Sequence, residues 1–420
     1  MRILWNVAGL VLSLGLVTTS ALTQSNAAQG LPLKSSTSVV LEGDSDAKAS
    51  DLLDPQVVAL ANGQVRKDPR KETSEAYLPI LFPSSHAANL IELMNGDLLC
   101  VWFSGHWEGD SKVGIVFSRL RKGAQRWSEP QLIDQQEGVS FQNPVLFQAP
   151  DGAIHLYHTT QEAHQGEANA HVLESVSRDN GVTWSQPALI FGKPGAFTRH
   201  PLLLLPDSTW LLPMTYVTSK GIGEGSETNY SAIQLSQDSG KTWRECVVTQ
   251  SFARVQPTVV QLAPGRLLSF FRSRKSDFIY QSSSTDGCQW TEPTTTVLPN
   301  NNASVQAFRL QDGHLVIVFD NEHKGPRRPV SIALSEDEGH TWRYVRDIEI
   351  GRPELGGESS KVMGAGREEY SYPSVLQTRD GVIHVAYTFR RQTIKVVTFR
   401  EGWIREGGTA GLYKGTSIEK

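Results

Sequence analysis

Four copies of one short motif decide the fold of this chain: SRDNGVTW (177–184), SQDSGKTW (236–243), STDGCQW (284–290) and SEDEGHTW (335–342). A fifth, degenerate copy is SRLRKGAQRW (118–127). The three intact copies obey S-x-D-x-G-x-T-W, which predicts a tight turn. In such a turn the aspartate caps backbone N–H groups, the glycine permits a positive φ and the tryptophan packs beneath. The motif is therefore structural, and it accounts for five of the ten tryptophans.

A second pattern, two apolar runs separated by a turn, recurs six times and predicts six β-hairpins. The tryptophans at positions 127, 184, 243, 290 and 342 are 57, 59, 47 and 52 residues apart. This period is typical of four-stranded propeller blades. The sequence therefore predicts an all-β, six-bladed β-propeller. The hairpins are NLIELMNGDLLCVWF, VLFQAPDGAIHLYHT, LLLLPDSTWLLPMTY, VVQLAPGRLLSFFR, AFRLQDGHLVIVFD and VLQTRDGVIHVAYTF.

The sixth hairpin has no turn motif after it, so the last blade needs a strand from elsewhere in the chain. The segment EAYLPILFP (75–83) is the candidate for an N-terminal strand that completes this blade. Such a closure removes the exposed sheet edges of an open ring.

The chain divides into three parts. Residues 1–28 combine Arg2, an apolar run and small residues, which predicts a cleaved secretory signal peptide and leaves no stable membrane anchor. Residues 29–73 are rich in Ser, Ala, Asp and Lys and indicate a linker or N-terminal arm. Residues 74–410 form the predicted propeller. We therefore expect a periplasmic or secreted protein.

Composition excludes some partners. The formal net charge of the 420 residues is −4 and the basic residues are scattered, so no nucleic-acid surface is predicted. No motif for a cofactor and no metal-ligand spacing are visible. Among three cysteines, Cys100 lies in an apolar run and indicates core, whereas Cys246 and Cys288 lie near turn motifs and either pair or stay free.

The motif, its period and the six hairpins make residues 77–400 resemble the sialidase superfamily, in particular bacterial sialidase-like proteins with BNR (Asp-box) repeats. That resemblance implies three arginines that bind the substrate carboxylate, an acid/base, and a tyrosine nucleophile paired with a glutamate. It assigns Arg272 and Arg327 to the carboxylate, with the adjacent Arg328 as the alternative to Arg327, and Tyr372 to the nucleophile. Glu108 and Asp110 are both candidates for the acid/base.

Two positions depart from the family pattern. In the stretch FPSSHAANLIEL, His86 or a serine stands where the family has the arginine of an Arg-Ile-Pro motif, and Gln256 stands where the family has the glutamate. An amide cannot take a proton from Tyr372 at neutral pH, so another carboxylate, of which Glu369 is nearest in sequence, has to serve this nucleophile. If Tyr372 is not the nucleophile, an inverting or a lyase mechanism applies.

Five polar residues precede hairpins at corresponding positions and predict a polar ring around the propeller axis: His86, Asn143, His200, Gln256 and Tyr372. The resemblance implies an exo-α-sialidase-like glycoside hydrolase that releases an acidic sugar from glycans or polysaccharides. The departures leave two alternatives, a carbohydrate-binding propeller without catalysis, and a propeller hydrolase or lyase for another polysaccharide.

Overall fold

Six antiparallel sheets build the chain, as the sequence predicts. The computed structural model describes residues 53–68, 72–218, 226–351, 368–408 and 412. In this part, each sheet contacts the next and the sixth contacts the first, so the sheets form a six-bladed β-propeller. The predicted signal peptide, residues 1–28, lies outside the described residues. None of the described helices is long and apolar enough to span a bilayer.

Three elements precede the first blade: helix α1 (Pro55–Leu60), strand β1 (Arg66–Asp68) and strand β2 (Thr73–Tyr77). The first blade contains β3 (Ser84–Glu92), β4 (Leu98–Gly105), β5 (Gly114–Leu120) and β6 (Gln131–Asp134). The second contains β7 (Val139–Gln148), β8 (Ile154–Glu162), β9 (His171–Ser177) and β10 (Ala188–Phe191). The third contains β11 (Ala196–Thr198), β12 (Leu203–Leu204), β13 (Trp210–Tyr216), β14 (Tyr230–Ser236) and β15 (Arg244–Val247).

The fourth blade contains β16 (Arg254–Ala263), β17 (Arg266–Ser273), β18 (Phe278–Ser284) and β19 (Thr294–Pro299). The fifth contains β20 (Gln306–Arg309), β21 (Leu315–Asp320), β22 (Val330–Ser335) and β23 (Tyr344–Glu349). The sixth contains β24 (Tyr370–Gln377), β25 (Ile383–Phe389) and β26 (Thr393–Phe399), followed by helix α2 (Glu401–Arg405). Short 3-10 turns lie at Glu167–Asn169 and Ser226–Thr228.

The ring closes through the N-terminal strand, as predicted. Strand β2 pairs antiparallel with β26, and β1 adds a fifth strand outside it. Buried Lys395 on β26 lies 2.9 Å from Glu75 of the closing strand and 2.8 Å from Glu349 of the fifth blade. The propeller also begins earlier than the sequence indicates, because the predicted linker contains α1 and β1, and Val57 of α1 is fully buried in the core.

The turn motif has the predicted structure. In the copy of the fifth blade, Ser335 Oγ donates to Asp337 Oδ1 at 2.8 Å, and the N–H and hydroxyl of Thr341 donate to the same carboxylate at 2.8 and 2.6 Å. Gly339 has φ +89° and Trp342 is buried. These contacts satisfy the polar groups of the turn locally. The same contacts recur at Asp179 and Asp238.

The cysteines lie in two different settings. Cys246 and Cys288 form a disulfide that joins β15 of the third blade to the turn motif of the fourth. Cys100 is free and fully buried in the first blade, and burial raises the pKa of its thiol. It therefore packs as a small apolar residue, as its apolar flanks predict.

A recurring irregularity in the inner strands shapes the axis of the propeller. The pairing of β3, β7, β16 and β24 with their neighbours shifts register by a bulge, and the third blade breaks its inner strand between β11 and β12. A bulge turns side chains out of the regular alternation of a strand. The bulged residues with positive φ are Ala87, Asn143, Gln256 and Tyr372.

Candidate active site

Tyr372 is the centre of the candidate site. It lies in the bulge of β24 with φ +54°, and its side chain is almost fully buried. Its hydroxyl oxygen accepts a hydrogen bond from Arg272 Nη1 at 2.6 Å, and the same nitrogen donates to Gln256 Oε1 at 3.2 Å. Among the described residues, nothing accepts the phenolic proton. Gln256 is therefore bound to the arginine and not to the tyrosine.

Three guanidinium groups surround the ring of Tyr372. The central carbons of Arg199, Arg272 and Arg327 lie 5.2, 5.6 and 5.2 Å from the ring centroid. Burial by itself would raise the pKa of this phenol, but the charges of Arg272 and Arg327 outweigh burial and lower it below its ordinary value. The surroundings thus favour the phenolate more than water does.

Glu369 joins two arginines from different blades. Its Oε1 lies 2.8 Å from Arg327 Nη1 and 3.0 Å from Arg391 Nε, and Ser371 Oγ donates to it at 2.8 Å. Burial would raise the pKa of Glu369, yet Arg391 and Arg327 lower it to about 2. This carboxylate makes no hydrogen bond to Tyr372. It binds the arginines, and none of its contacts in the described part of the chain places it as a base for Tyr372.

Glu108 reaches the same cluster from the first blade. Its Oε2 lies 2.6 Å from Arg391 Nη1, and its side chain is 37% exposed. Its negative charge also acts on Tyr372, where it raises the pKa of the phenol. Glu108 is therefore part of the cluster around the tyrosine.

The cluster has more positive than negative charge. Arg199 donates only to neutral acceptors, namely Ser304 Oγ at 3.2 Å and two backbone oxygens at 3.1 and 3.0 Å. Arg272 likewise binds Asn302, an amide and a phenol but no carboxylate. Burial lowers the pKa of both arginines to about 10, so both remain charged at neutral pH. Four guanidinium groups thus lie around Tyr372 with the paired carboxylates of Glu369 and Glu108. A third acid, Asp320, is fully buried near Arg327, and burial raises its pKa well above the ordinary value.

His86 does not supply the charge of the arginine it replaces. Its ring centroid lies 4.1 Å from that of Tyr372, and its Nδ1 lies 2.7 Å from Thr388 Oγ1. Complete burial, followed by the charges of Arg391 and Arg327, lowers the pKa of His86 well below its ordinary value. The imidazole is therefore neutral and packs against the tyrosine.

The other predicted residues make no hydrogen bond or ring contact with Tyr372 in the described part of the chain. Asp110 Oδ1 is 3.2 Å from His164 Nε2, in a contact between loops of the first and second blades. His200 is buried, with Nε2 3.3 Å from Ser304 Oγ, and burial lowers its pKa. The Asn143 side chain makes no hydrogen bond with the described residues. The polar ring thus consists of buried groups, of which only some contact one another. His86 does not hold the position that corresponds to Asn143, Gln256 and Tyr372, because Ala87 occupies the bulge of the first blade.

Two residues of the cluster, Arg199 and Arg391, were not predicted from the sequence. Arg199 lies two residues before Pro201, as His86 lies two residues before Ala88, so comparing the registers of the blades could have found it. Arg391 follows β25 in the stretch FRRQT and belongs to no recurring motif. Its partner Glu108 is 283 positions away, so no local pattern connects the two.

One group of described side chains, next to the start of β21, has the composition of a metal site. Asp312, His314 and Glu401 bring one ligand atom each within 4.8 Å of one another. Arg405 Nη2 already lies 2.6 Å from Glu401 Oε1, so a guanidinium supplies the positive charge there.

A surface depression of about 650 Å³ next to the turn motifs of the third and fourth blades includes Trp243 and none of the predicted site residues.

Comparisons with known proteins agree with this fold. The model of the BNR repeat-like domain matches residues 96–385. A sequence search of curated proteins finds no match. Among solved structures, a Hadza microbial sialidase, Hz136, shares 17% identity with a TM-score of 0.62 and covers 76% of this chain and 66% of its own. This chain thus spans about two thirds of that sialidase.

Two further structures have the same fold. The NanB sialidase from Streptococcus pneumoniae has 14% identity and a TM-score of 0.63, over 77% of this chain and 69% of its own. A protein of unknown function from Dyadobacter fermentans has 16% identity and a TM-score of 0.60, over 75% of this chain and 94% of its own. Identities this low establish the architecture alone. With a family match over most of its blades, the chain belongs to the BNR repeat-like domain family and is a sialidase-like β-propeller.

Proposed function

We propose that the protein is an exo-acting glycoside hydrolase that releases a carboxylate-bearing sugar, in the manner of a sialidase, from a glycan or polysaccharide. The observation that carries the proposal is the excess of buried guanidinium charge around Tyr372. Buried charges without partners cost several kcal/mol each, on the order of magnitude measured for broken ion pairs. A bound anion would offset this cost, and a carboxylate fits the forked donors of arginine.

Each group has a role in this proposal. Arg272 and Arg327 bind the sugar carboxylate beside Tyr372. The phenolic oxygen forms a bond to the anomeric carbon while the bond from that carbon to the leaving oxygen breaks. The Glu108 carboxylate takes the phenolic proton of Tyr372 and passes it to the leaving oxygen. In the second step Glu108 takes a proton from the water that hydrolyses the glycosyl-tyrosine and returns it to the phenolic oxygen. We assign the acid/base to Glu108 because it is tied to the arginine cluster, whereas Asp110 pairs with His164.

The loss of the glutamate partner is compatible with this chemistry. Gln256 cannot accept the phenolic proton, but Arg272 and Arg327 lower the pKa of Tyr372 directly. A phenol with a lowered pKa needs less help from a base to become a nucleophile. The arginines would therefore activate the nucleophile and bind the substrate carboxylate.

A second candidate function also depends on Tyr372. If Tyr372 keeps its proton, the hydrogen bond from Arg272 to Gln256 only orders a binding site, and the protein is a carbohydrate-binding propeller without catalysis. In both cases the partner is a glycan or polysaccharide. We further propose an exported protein, periplasmic or secreted, on the basis of residues 1–28.

Release of free sugar from sialosides, uronic-acid glycans and plant or algal polysaccharides tests the proposal. The mature protein is compared with Tyr372→Phe, Arg272→Ala and the control Arg328→Gln, which removes a half-exposed arginine paired with Glu368. We expect release of an acidic sugar that Tyr372→Phe and Arg272→Ala abolish and Arg328→Gln leaves unchanged. Binding of an acidic sugar without release would establish the second function, and release of a neutral sugar only would contradict both.

A further inference from the structure

We propose that Arg199 is a positioning residue for Tyr372: its guanidinium group crosses the propeller axis and fixes the backbone that carries the nucleophile. This inference rests on the proposed function and concerns a residue of the third blade. Arg199 binds no substrate in this proposal, because its side chain is fully buried and its donors bind the protein.

The hydrogen bonds of Arg199 join four of the six blades. The residue lies in the third blade, in the break between β11 and β12. Its Nε donates to Ser304 Oγ, just before β20 of the fifth blade, at 3.2 Å. Its Nη1 donates to Ala88 O of the first blade at 3.1 Å, and its Nη2 donates to Pro373 O of the sixth at 3.0 Å. The third and sixth blades are opposite each other in the ring, so this side chain reaches across the axis.

Two of these acceptors are carbonyl groups next to bulges. Pro373 follows Tyr372 and Ala88 follows Ala87, and the two bulged residues have φ of +54° and +58°. Such a conformation is uncommon for residues other than glycine and persists where surrounding contacts enforce it. The bond from Nη2 to Pro373 O is a contact of this kind, one residue away from the nucleophile. Arg199 thus holds the main chain that orients the Tyr372 side chain.

The same guanidinium group also contacts the ring of Tyr372. Its central carbon lies 5.2 Å from the ring centroid, within the range of a cation–π contact. Burial lowers the pKa of Arg199 to about 10, and the charge of Tyr372 acts in the opposite direction. An ionised phenol and this guanidinium therefore stabilise each other. Removing the charge of Arg199 should raise the pKa of the phenol.

A misplaced nucleophile affects turnover more than substrate binding. The substrate carboxylate belongs to Arg272 and Arg327 in the proposed function, and neither is hydrogen-bonded to Arg199 in the described part of the chain. A displacement of reacting groups by about 1 Å can cost roughly 100-fold in rate. Loss of the Arg199 bonds should therefore lower kcat and change KM little, the pattern of an interaction that acts in the transition state.

Four variants separate this role from a structural one. Arg199→Lys keeps the charge but loses the planar fork, and Arg199→Gln loses the charge as well. Ser304→Ala removes one acceptor only. The control is Arg119→Lys, because Arg119 also joins two blades, by donating to Asp97 Oδ2 at 3.0 Å and to Asn180 O, but at the end of the blades that carries the turn motifs.

Turnover and the state of the phenol are measured separately. Hydrolysis of the methylumbelliferyl glycosides of N-acetylneuraminic acid and D-glucuronic acid, followed by fluorescence, gives kcat and KM. Ultraviolet difference spectra of each protein against the same protein with Tyr372→Phe give the pKa of the phenol. Circular dichroism and the melting temperature show whether each variant is folded.

We expect Arg199→Lys to lower kcat by about 10-fold to 100-fold with KM little changed. Arg199→Gln should lower kcat further and raise the pKa of the phenol. Ser304→Ala should lower kcat by about 3-fold to 10-fold, the effect of one hydrogen bond. Arg119→Lys should lower the melting temperature and change neither kcat nor the phenol.

Each other outcome has a defined meaning. A folded Arg199→Lys with the kcat of the wild type, or a folded Arg199→Gln with an unshifted phenol, overturns the role of Arg199 and leaves the proposed function intact. Should both Arg199 variants fail to fold, Ser304→Ala decides by the same comparison of kcat. A wild type that hydrolyses neither glycoside contradicts the proposed function, and the titration of the phenol then decides whether Arg199 acts on Tyr372.

Discussion

Replacing Glu369 by glutamine should destabilise the protein in a manner that depends on pH. The side chain is buried between Arg327 and Arg391, whose charges lower its pKa from 4.5 to about 2. At pH 7 this difference corresponds to about 3 kcal/mol of folding free energy, since one pKa unit equals about 1.4 kcal/mol. For a folded unit of this size, the loss lowers the Tm by roughly 4 °C.

The pH dependence has a definite sign. A carboxyl group with a lowered pKa stabilises the folded state fully above its unfolded pKa, and this stabilisation disappears as the pH falls through the folded value. For Glu369 about half of the effect should be left at pH 3. Glutamine cannot ionise, so the difference between wild type and Glu369→Gln should shrink between pH 5 and pH 3, whereas both proteins lose other stabilising carboxylates equally.

The neighbouring residue provides the control. Glu368 pairs with Arg328 at 2.5 Å, but both side chains are partly exposed, so Glu368→Gln should cost less than about 1 kcal/mol. The assay is denaturant unfolding followed by tryptophan fluorescence at pH 7, 5, 4 and 3. The reasoning is refuted if Glu369→Gln and Glu368→Gln cost the same at pH 7, or if the cost of Glu369→Gln is equal at pH 7 and pH 3.

Three further outcomes are expected. The phenol of Tyr372 should titrate below the ordinary tyrosine pKa in ultraviolet difference spectra against Tyr372→Phe, and Arg272→Gln should raise that pKa; an unshifted titration in the wild type contradicts the site electrostatics. Asp337→Ala should cost about 1–2 kcal/mol, as measured for comparable side-chain caps, in thermal unfolding of a protein that keeps its fold. Replacing Cys246 and Cys288 by serine should remove about 4 kcal/mol by loop entropy over the 42-residue separation, and reductant should destabilise only the parent protein.

The architecture could be predicted because it depends on local sequence patterns that repeat along the chain. Each blade has its own hairpin turn and, in most blades, its own aspartate turn, so the period gives the number of blades without knowledge of long-range contacts. The closing strand followed from counting, because an unpaired edge in the sixth blade required a partner. The early start of the fold could not be predicted, since α1 has only six residues and is stabilised by Val57 in the core.

The candidate site was only partly predictable, for a physical reason. Arg272, Arg327 and Tyr372 were found because they hold fixed places relative to hairpins, and these places resemble a known family. Arg391 was missed because its partners, Glu108 and Glu369, come from other parts of the chain. The charge states of the buried groups could not be predicted from the sequence either. Burial decides these charge states, and burial depends on the complete ring of blades.

The two departures from the family pattern make sense together. The neutral histidine at position 86 brings no positive charge, and the glutamine at position 256 brings no negative charge, to the surroundings of Tyr372. Arg272 therefore faces an amide and the phenol and no carboxylate. A guanidinium without a carboxylate partner exerts its full attraction on the nearest oxygen that can become negative. In this arrangement that oxygen belongs either to Tyr372 or to an incoming carboxylate, so anion binding and activation of the nucleophile depend on the same arginine.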